Sequence, residues 1–96
     1  MSDVVTEAVS ALNAKMEGAD FNGSAKFVIE GEGAIIIDSD GARAGDDDAD
    51  VTLTASTDVF KAILDGEQNP TTAFMTGKLS IDGDMGQAMK LAGVLG

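Results

Sequence analysis

The residue types that most often carry chemistry are missing from this 96-residue chain, which contains no histidine and no cysteine. Their absence removes the usual base near neutral pH, the usual thiolate nucleophile, and the nitrogen and sulfur ligands of most metal sites. A lone serine without a base is a poor nucleophile, and the aspartates fall at predicted turns and caps, where Asp has a structural role. The sequence therefore predicts a protein that is not an enzyme.

Two acidic segments, 38–41 and 46–50, raise the question of a calcium site. A loop of EF-hand spacing that began at Asp38 would need glycine at its sixth position and glutamate at its twelfth, where Arg43 and Ala49 stand. The pattern favours a solvated acidic turn instead. We expect neither a metal ion nor a cofactor.

The charge of the chain narrows its choice of partner. The chain contains six basic and 17 acidic residues, which gives a net charge of −11, and much of the excess negative charge lies in 38–50. Such a surface repels phosphate backbones and anionic lipid headgroups. The four aromatic residues are all Phe and are not interleaved with Lys or Arg, as a base-stacking platform requires. We therefore expect no nucleic-acid partner and at most transient membrane contact.

Length and hydropathy indicate a single domain over residues 1–96. The longest apolar run, 34–37, has the length of a strand and falls short of the roughly 18 residues that a membrane span needs. Neither a signal peptide at the start nor a peroxisomal tripeptide at the end is apparent. We expect a soluble, cytoplasmic protein.

The first half of the chain is predicted to contain one helix and four strands. Apolar residues at helical spacing predict a helix over 2–16, which Gly18 would end. Residues of alternating direction predict strands over 25–30 and 51–55, and an apolar run predicts a strand over 34–38. A short strand over 42–45 would follow the turn after 34–38. The unbroken isoleucine run in the second strand indicates burial on both faces. Asp40 and Gly41 predict a type I′ hairpin turn, which needs positive φ at both central residues.

The second half is predicted to begin with two helices. Thr57 would cap a helix that starts at Asp58 and ends at Gly66. Asn69 before Pro70 predicts the capped start of a second, short helix.

A fifth strand over 78–82 and a last helix follow. Asp84 would cap this helix, with Gln87 completing a capping-box-like pair. One face of the helix carries Met85, Ala88, Met89, Ala92 and Leu95. The order of elements is typical of an α+β fold.

Methionine and phenylalanine cluster in the last part of the chain, at Phe60, Phe74, Met75, Met85 and Met89. Core packing is one interpretation, because Met fills irregular gaps. A deformable lining for a flexible apolar ligand is the other, because Met side chains repack easily. Periodicity does not separate the two.

The stretch 69–91 resembles the signature of the sterol carrier protein-2 family, in which Asn-Pro, Gly-Lys-Leu and Met-Gly-x-Ala-Met-Lys-Leu occur in this order. Residues 49–60 are similar to the family's fourth strand and following helix. The resemblance covers roughly residues 20 to 93. It implies a five-stranded, mostly antiparallel sheet covered on one face by helices, with an apolar tunnel between them and the last helix as a lid. It also implies a fatty acid, a fatty acyl-CoA or a sterol-like lipid as the ligand.

The same resemblance leads us to predict eight residues that line the tunnel: Phe60, Ile63, Leu64, Phe74, Met75, Met85, Met89 and Leu91. Lys78 and Lys90 could meet the phosphate of an acyl-CoA, although a solvated position at the end of a strand or helix is the simpler interpretation of each.

The chain departs from the family pattern at two positions and in its acidity. Met75 stands where a second aromatic residue is usual, and the isoleucines of 35–37 stand where many members carry Trp. The expected function is intracellular carriage or sequestration of a lipid by a stand-alone, bacterial-type member. The alternative is a non-catalytic accessory subunit that presents a lipid intermediate to a lipid-metabolising partner enzyme.

Overall fold

The computed structural model describes residues 3–17, 21 and 23–95, so the predictions for residue 2 and Gly18 lie outside the described residues. The elements, in chain order, are α1 (Asp3–Met16), β1 (Ser24–Ile29), β2 (Gly33–Asp38), β3 (Gly41–Ala44), β4 (Val51–Ala55), α2 (Thr57–Leu64), α3 (Pro70–Met75), β5 (Leu79–Gly83) and α4 (Met85–Leu95).

The strands form one five-stranded sheet in the order β3-β2-β1-β4-β5. The central strands β1 and β4 pair in parallel, with Ala25 opposite Val51, and the other three pairings are antiparallel. The predicted α+β fold with a mostly antiparallel sheet is confirmed. Strands β1, β3 and β5 are each displaced by one residue from their predicted ranges, β2 begins one residue early, and β4 has its predicted bounds.

All four helices pack on one face of the sheet, where a continuous apolar core forms. Phe27 of β1 and Phe60 of α2 meet at its centre, with ring centroids 4.5 Å apart and planes at 62°. This edge-to-face contact adds stabilisation beyond the burial of the two rings. Ile36 is buried on the opposite face, whereas its neighbours Ile35 and Ile37 belong to the core, so burial of β2 on both faces is confirmed.

Residues 45–50, here called the acidic connector, carry the chain across the face of the sheet that lacks helices. The N–H of Gly45 donates to the carbonyl of Ala34 on β2 at 3.1 Å. Lys26 of β1 forms an ion pair with Asp46 at 3.0 Å, and the N–H of Asp50 donates to Ser24 Oγ at 3.0 Å. The connector therefore spans β2 and β1 before the chain enters β4.

The turn between β2 and β3 is not the predicted type I′ turn at Asp40 and Gly41. Asp38 pairs with Gly41, so Ser39 and Asp40 form the two-residue loop. Neither has a positive φ, since none of the described non-glycine residues does. The Asp38 carboxylate instead accepts a hydrogen bond from the N–H of Asp40 at 3.0 Å, and this Asx turn closes the hairpin.

Two helix caps differ in detail from the predicted ones. Ser56, not Thr57, caps α2 by accepting the N–H of Val59 at 3.3 Å, because the helix begins one residue early. Asp84 caps α4 as predicted, but Gln87 does not complete a capping box. The N–H of Asp84 already donates to the carbonyl of Asp50 at 3.0 Å, which extends the β4–β5 ladder.

The β3 edge of the sheet is closed by a side chain from α1. Asn13 donates from Nδ2 to the carbonyl of Ala42 at 2.9 Å and accepts the N–H of Ala42 at 2.8 Å. Its amide therefore takes the place that a peptide group of a neighbouring strand would occupy. Gly41 allows this approach, because a Cβ there would lie 2.6 Å from Asn13 Oδ1.

Candidate functional site

A narrow apolar cleft lies between helices α3 and α4 and the core face of β4 and β5. Its lining residues come from all four elements and are Leu53, Pro70, Thr71, Phe74, Leu79, Ile81, Ala88, Met89 and Ala92. The cleft encloses about 20 Å³, which is room for roughly one water molecule. Its chemistry suits a hydrocarbon group, because nearly every lining residue is apolar.

Local sequence signals hold α3 over this cleft. The side chain of Asn69 accepts the N–H groups of Thr71 and Thr72 at 2.8 and 3.2 Å, and Pro70 occupies the first helical position. After six residues the helix ends, and Gly77 turns the chain towards β5 with φ of +79°. The N–H of Lys78 donates to the carbonyl of Ala73, which fixes this turn.

The N-terminus of α4 is also fixed by hydrogen bonds and by a close backbone contact. The Asp84 carboxylate accepts the N–H groups of Gly86 and Gln87 at 2.8 and 3.3 Å. Gly83 before it has φ of +118° and lies against the backbone of Asp50. Only glycine fits there, because a Cβ would approach the Asp50 carbonyl oxygen to 2.6 Å. These contacts fix the N-terminal end of α4, ahead of the residues of the same helix that line the cleft.

Large apolar side chains are exposed around the cleft. Within the described residues, those exposed are Phe74 (39%), Met75 (79%), Met85 (43%) and Met89 (49%). All four lie on α3 or α4. Core packing therefore does not account for these methionines. The face of α4 that is buried carries Ala88, Leu91 and Leu95 instead.

The eight predicted lining residues do not converge on one cavity. Phe74 and Met89 line the cleft, and Met75 and Met85 are exposed on the same two helices. Ile63 and Leu91 are buried in the core. That any of the eight residues contacts a ligand stays a prediction.

The other two predicted residues, Phe60 and Leu64, line a groove between α1 and α2. This groove has a volume of about 320 Å³, and Glu7, Lys61 and Asp65 also border it. It is larger than the cleft but carries charged groups of both signs. A purely apolar ligand therefore matches the cleft better.

Sequence reasoning missed the strand residues that form the floor of the cleft. Leu53 on β4 and Ile81 on β5 are directly paired, and Leu79, two residues before Ile81, lies on the same face of the sheet. Their alternation with polar residues was a usable signal, since such residues share one side of a strand. The pairing of β4 with β5 was needed to bring them together.

The charged groups with perturbed ionisation lie away from the cleft, on β2 and β3. A hydrogen bond from Arg43 lowers the pKa of Asp38 below its usual value, against the smaller effect of desolvation. The two groups form an ion pair at 2.8 Å. In the part of the chain that the structure describes, no three acidic side chains lie close enough to hold a metal ion. No helix there is long and apolar enough to cross a membrane.

Comparison with known proteins gives a family match over nearly the whole chain. The sequence model of the SCP-2 sterol transfer family matches residues 5–96. Sterol carrier protein 2 of Gallus gallus is 42% identical over 64 residues, which amount to 67% of this chain and 11% of that protein. The chain thus corresponds to a small part of such curated relatives.

Solved structures share the fold over most of both chains. The sterol carrier protein domain 2 of Helicoverpa armigera aligns with a TM-score of 0.76 at 27% identity, covering 96% of this chain and 85% of that one. Sterol carrier protein-2 of Aedes aegypti, in complex with palmitate, aligns with a TM-score of 0.78 at 24% identity, covering 99% and 96%. The arrangement of sheet and helices is therefore common to all three proteins.

Proposed function

The chain belongs to the SCP-2 sterol transfer family, and from this premise we propose that it is a non-catalytic carrier that holds one lipid molecule in the cleft under α3 and α4. The ligand class is a fatty acid, a fatty acyl-CoA or a sterol-like lipid. The observation that carries the proposal is the apolar cleft itself, whose lining includes the partly exposed side chains of Phe74 and Met89.

The cleft must widen before it can accept an acyl chain. Pockets for small ligands usually measure about 300–1,000 Å³, far more than the 20 Å³ enclosed here. The required movement is a separation of α3 and α4 from the floor formed by Leu53 and Ile81. Side chains at the mouth favour this movement, because Met89 and Phe74 are already partly in solvent and Met repacks at small cost.

The Aedes aegypti relative supports a fatty acid as the ligand, since that protein was solved with palmitate bound. A long acyl chain gains free energy from each methylene that leaves water, about 0.8 kcal/mol. The carboxylate of a fatty acid would be repelled by the acidic surface of the chain and attracted by a lysine. Lys78 and Lys90 are both exposed on the α3–β5–α4 part of the chain, so we place the carboxylate near one of them.

Binding of palmitate to the purified chain tests the proposal. Native mass spectrometry is expected to show one bound lipid, and fluorescence displacement of a labelled fatty acid is expected to give saturable competition. The variant A92F places a ring in the cleft and should weaken binding at least about tenfold. The control G93A changes the next residue of the same helix, where a new Cβ would meet no atom within 4 Å.

A chain that stays empty when offered palmitate, palmitoyl-CoA and cholesterol would contradict the proposal. Stable capture of a lipid-metabolising enzyme by the empty protein would favour the accessory-subunit alternative instead. Unchanged binding of palmitate by A92F would place the ligand elsewhere, for example in the groove between α1 and α2.

A further inference from the structure

The exposed apolar residues of the described chain are concentrated on one surface. This surface, here called the α3–α4 face, consists of Phe74, Met75, Met85 and Met89. Met75 is 79% exposed, so most of its side chain does not contribute to the core. Large apolar residues that gather on one exposed surface usually mark a site of interaction.

The net charge of the protein lies in a different part of the chain from this face. Residues 1–68 contain fifteen of the 17 acidic and four of the six basic residues, so that they carry the entire net charge of −11. Residues 69–96 contain two acidic and two basic residues and are neutral. The α3–α4 face thus lies on the neutral part of a strongly acidic protein.

We propose that the α3–α4 face docks on the surface of a lipid bilayer with zwitterionic headgroups. This inference rests on the proposed function, because docking there would place the mouth of the cleft against the lipid that it takes up or releases. The neutral charge of residues 69–96 matches a neutral bilayer surface, and Met75 and Met89 can insert between headgroups.

The acidic part of the chain fixes the orientation of the docked molecule. Asp46, Asp47 and Asp48 on the acidic connector are exposed, and the connector crosses the face of the sheet opposite the helices. Contact between that face and a membrane would bring carboxylates to lipid phosphates. The charge distribution therefore disfavours other orientations and also disfavours anionic membranes.

A second copy of the chain fits the α3–α4 face less well than a bilayer does. Two copies that met there would bring two charges of −11 together, and the acidic parts would repel at low ionic strength. A bilayer of zwitterionic lipid imposes no such repulsion. Lys78, three residues after Met75, and Lys90, next to Met89, can contact the headgroup phosphates.

Flotation with vesicles of pure phosphatidylcholine tests the inference. We expect the wild-type chain to bind these vesicles and to bind vesicles containing phosphatidylserine several-fold less. M75E should reduce binding to phosphatidylcholine at least fivefold. A14E is the matched control, because it adds the same charge at an exposed position on α1 and should change binding less than twofold.

A second measurement reports the orientation directly. The chain has no cysteine, so M75C and A14C each provide a single site for an environment-sensitive dye. A dye at position 75 should shift to shorter wavelength on addition of phosphatidylcholine vesicles, whereas a dye at position 14 should not shift.

Several outcomes would overturn this inference. They are absence of vesicle binding by the wild type, equal loss in M75E and A14E, and a dye shift at both positions. A dimer that M75E abolishes, found together with absence of vesicle binding, would identify the face as a self-association surface. Palmitate binding without vesicles is measured separately, so a chain that binds palmitate but no vesicle refutes docking and leaves the proposed function intact.

Discussion

The two edge strands of the sheet, β3 and β5, differ in whether their outward backbone groups are hydrogen-bonded. At the β3 edge, outward-pointing backbone groups of Ala42 are bonded to Asn13, and α1 packs along the strand. At the β5 edge, the N–H of Asp84 donates to the carbonyl of Asp50 on the β4 side. Because successive residues of an antiparallel strand point their backbone N–H and C=O groups to opposite sides, those of Leu79, Ile81 and Gly83 point away from β4. Among the described residues, these outward groups have no hydrogen-bond partner.

Charge follows the same division. The β3 side carries the ion pair of Asp38 and Arg43, and the β5 side carries the cleft and the α3–α4 face. The acidic connector belongs to neither edge, because it crosses β1 and β2 on the face of the sheet without helices. The β3 edge is thus closed by α1, whereas the β5 edge is unpaired and lies beside the apolar cleft. This difference agrees with the proposal that the lipid binds on the β5 side.

The largest effect is expected from G83A, which attacks the attachment of the β5 side. A Cβ on Gly83 would lie 2.6 Å from the carbonyl oxygen of Asp50 and 3.0 Å from Val51 Cα, both rigid backbone atoms. Strain and overpacking together should lower the free energy of unfolding by about 2–5 kcal/mol in urea titrations. G77A is the control, since its Cβ meets open space and only the positive φ costs about 1–2 kcal/mol. Equal losses would contradict the close approach at Gly83.

An intermediate effect is expected from N13A, which opens the β3 edge. The variant leaves the N–H and carbonyl of the buried Ala42 without their partner, at a cost of about 1–3 kcal/mol in the free energy of unfolding. It should also increase self-association, measured by light scattering, because an exposed edge templates strand pairing. S10A, at an exposed position on α1, should stay within about 0.5 kcal/mol of wild type. If both variants behave alike, the edge does not depend on Asn13.

The smallest effect is expected from R43Q, which removes the ion pair of the β3 side. Because Arg43 lowers the pKa of Asp38, the pair stabilises the fold above the usual carboxyl pKa of about 3.9 and loses this contribution as pH falls through the lowered value. In R43Q the Asp38 pKa should rise towards its usual value, as followed by NMR of the carboxyl carbon. K61Q removes the same charge from α2 and should leave this titration unchanged. The effect on stability should be small and weakened by salt.

The helix caps and the burial of β2 could be predicted from the sequence, because the signals for them are local. Asn69 before Pro70 and Asp84 before α4 predict caps, and both caps are present. The isoleucines of β2 predict burial on both faces, which is also found. These signals depend on neighbours a few residues away, so no knowledge of the tertiary structure is needed.

The features that could not be predicted depend on contacts between distant segments. Periodicity places Met85 and Met89 on one face of a helix but does not say that Ala88 and Leu91 form the face that packs on the sheet. The bonds from Asn13 join residues 29 apart in the chain. The Asx turn at Asp38 replaces the predicted type I′ turn because the ladder begins one residue earlier than the motif suggests.

The parallel pairing of β1 with β4 also has a consequence for how the chain folds. The β1–β2–β3 meander is closed by short turns, whereas β4 can join β1 only after the chain has passed through β2, β3 and the acidic connector. Closing this longer loop costs entropy before the new contacts form, so we expect the meander to form first and β4, β5 and α4 to add to it later. The elements around the cleft would then be the last to become ordered and the first to open, and local unfolding would begin where a lipid needs access.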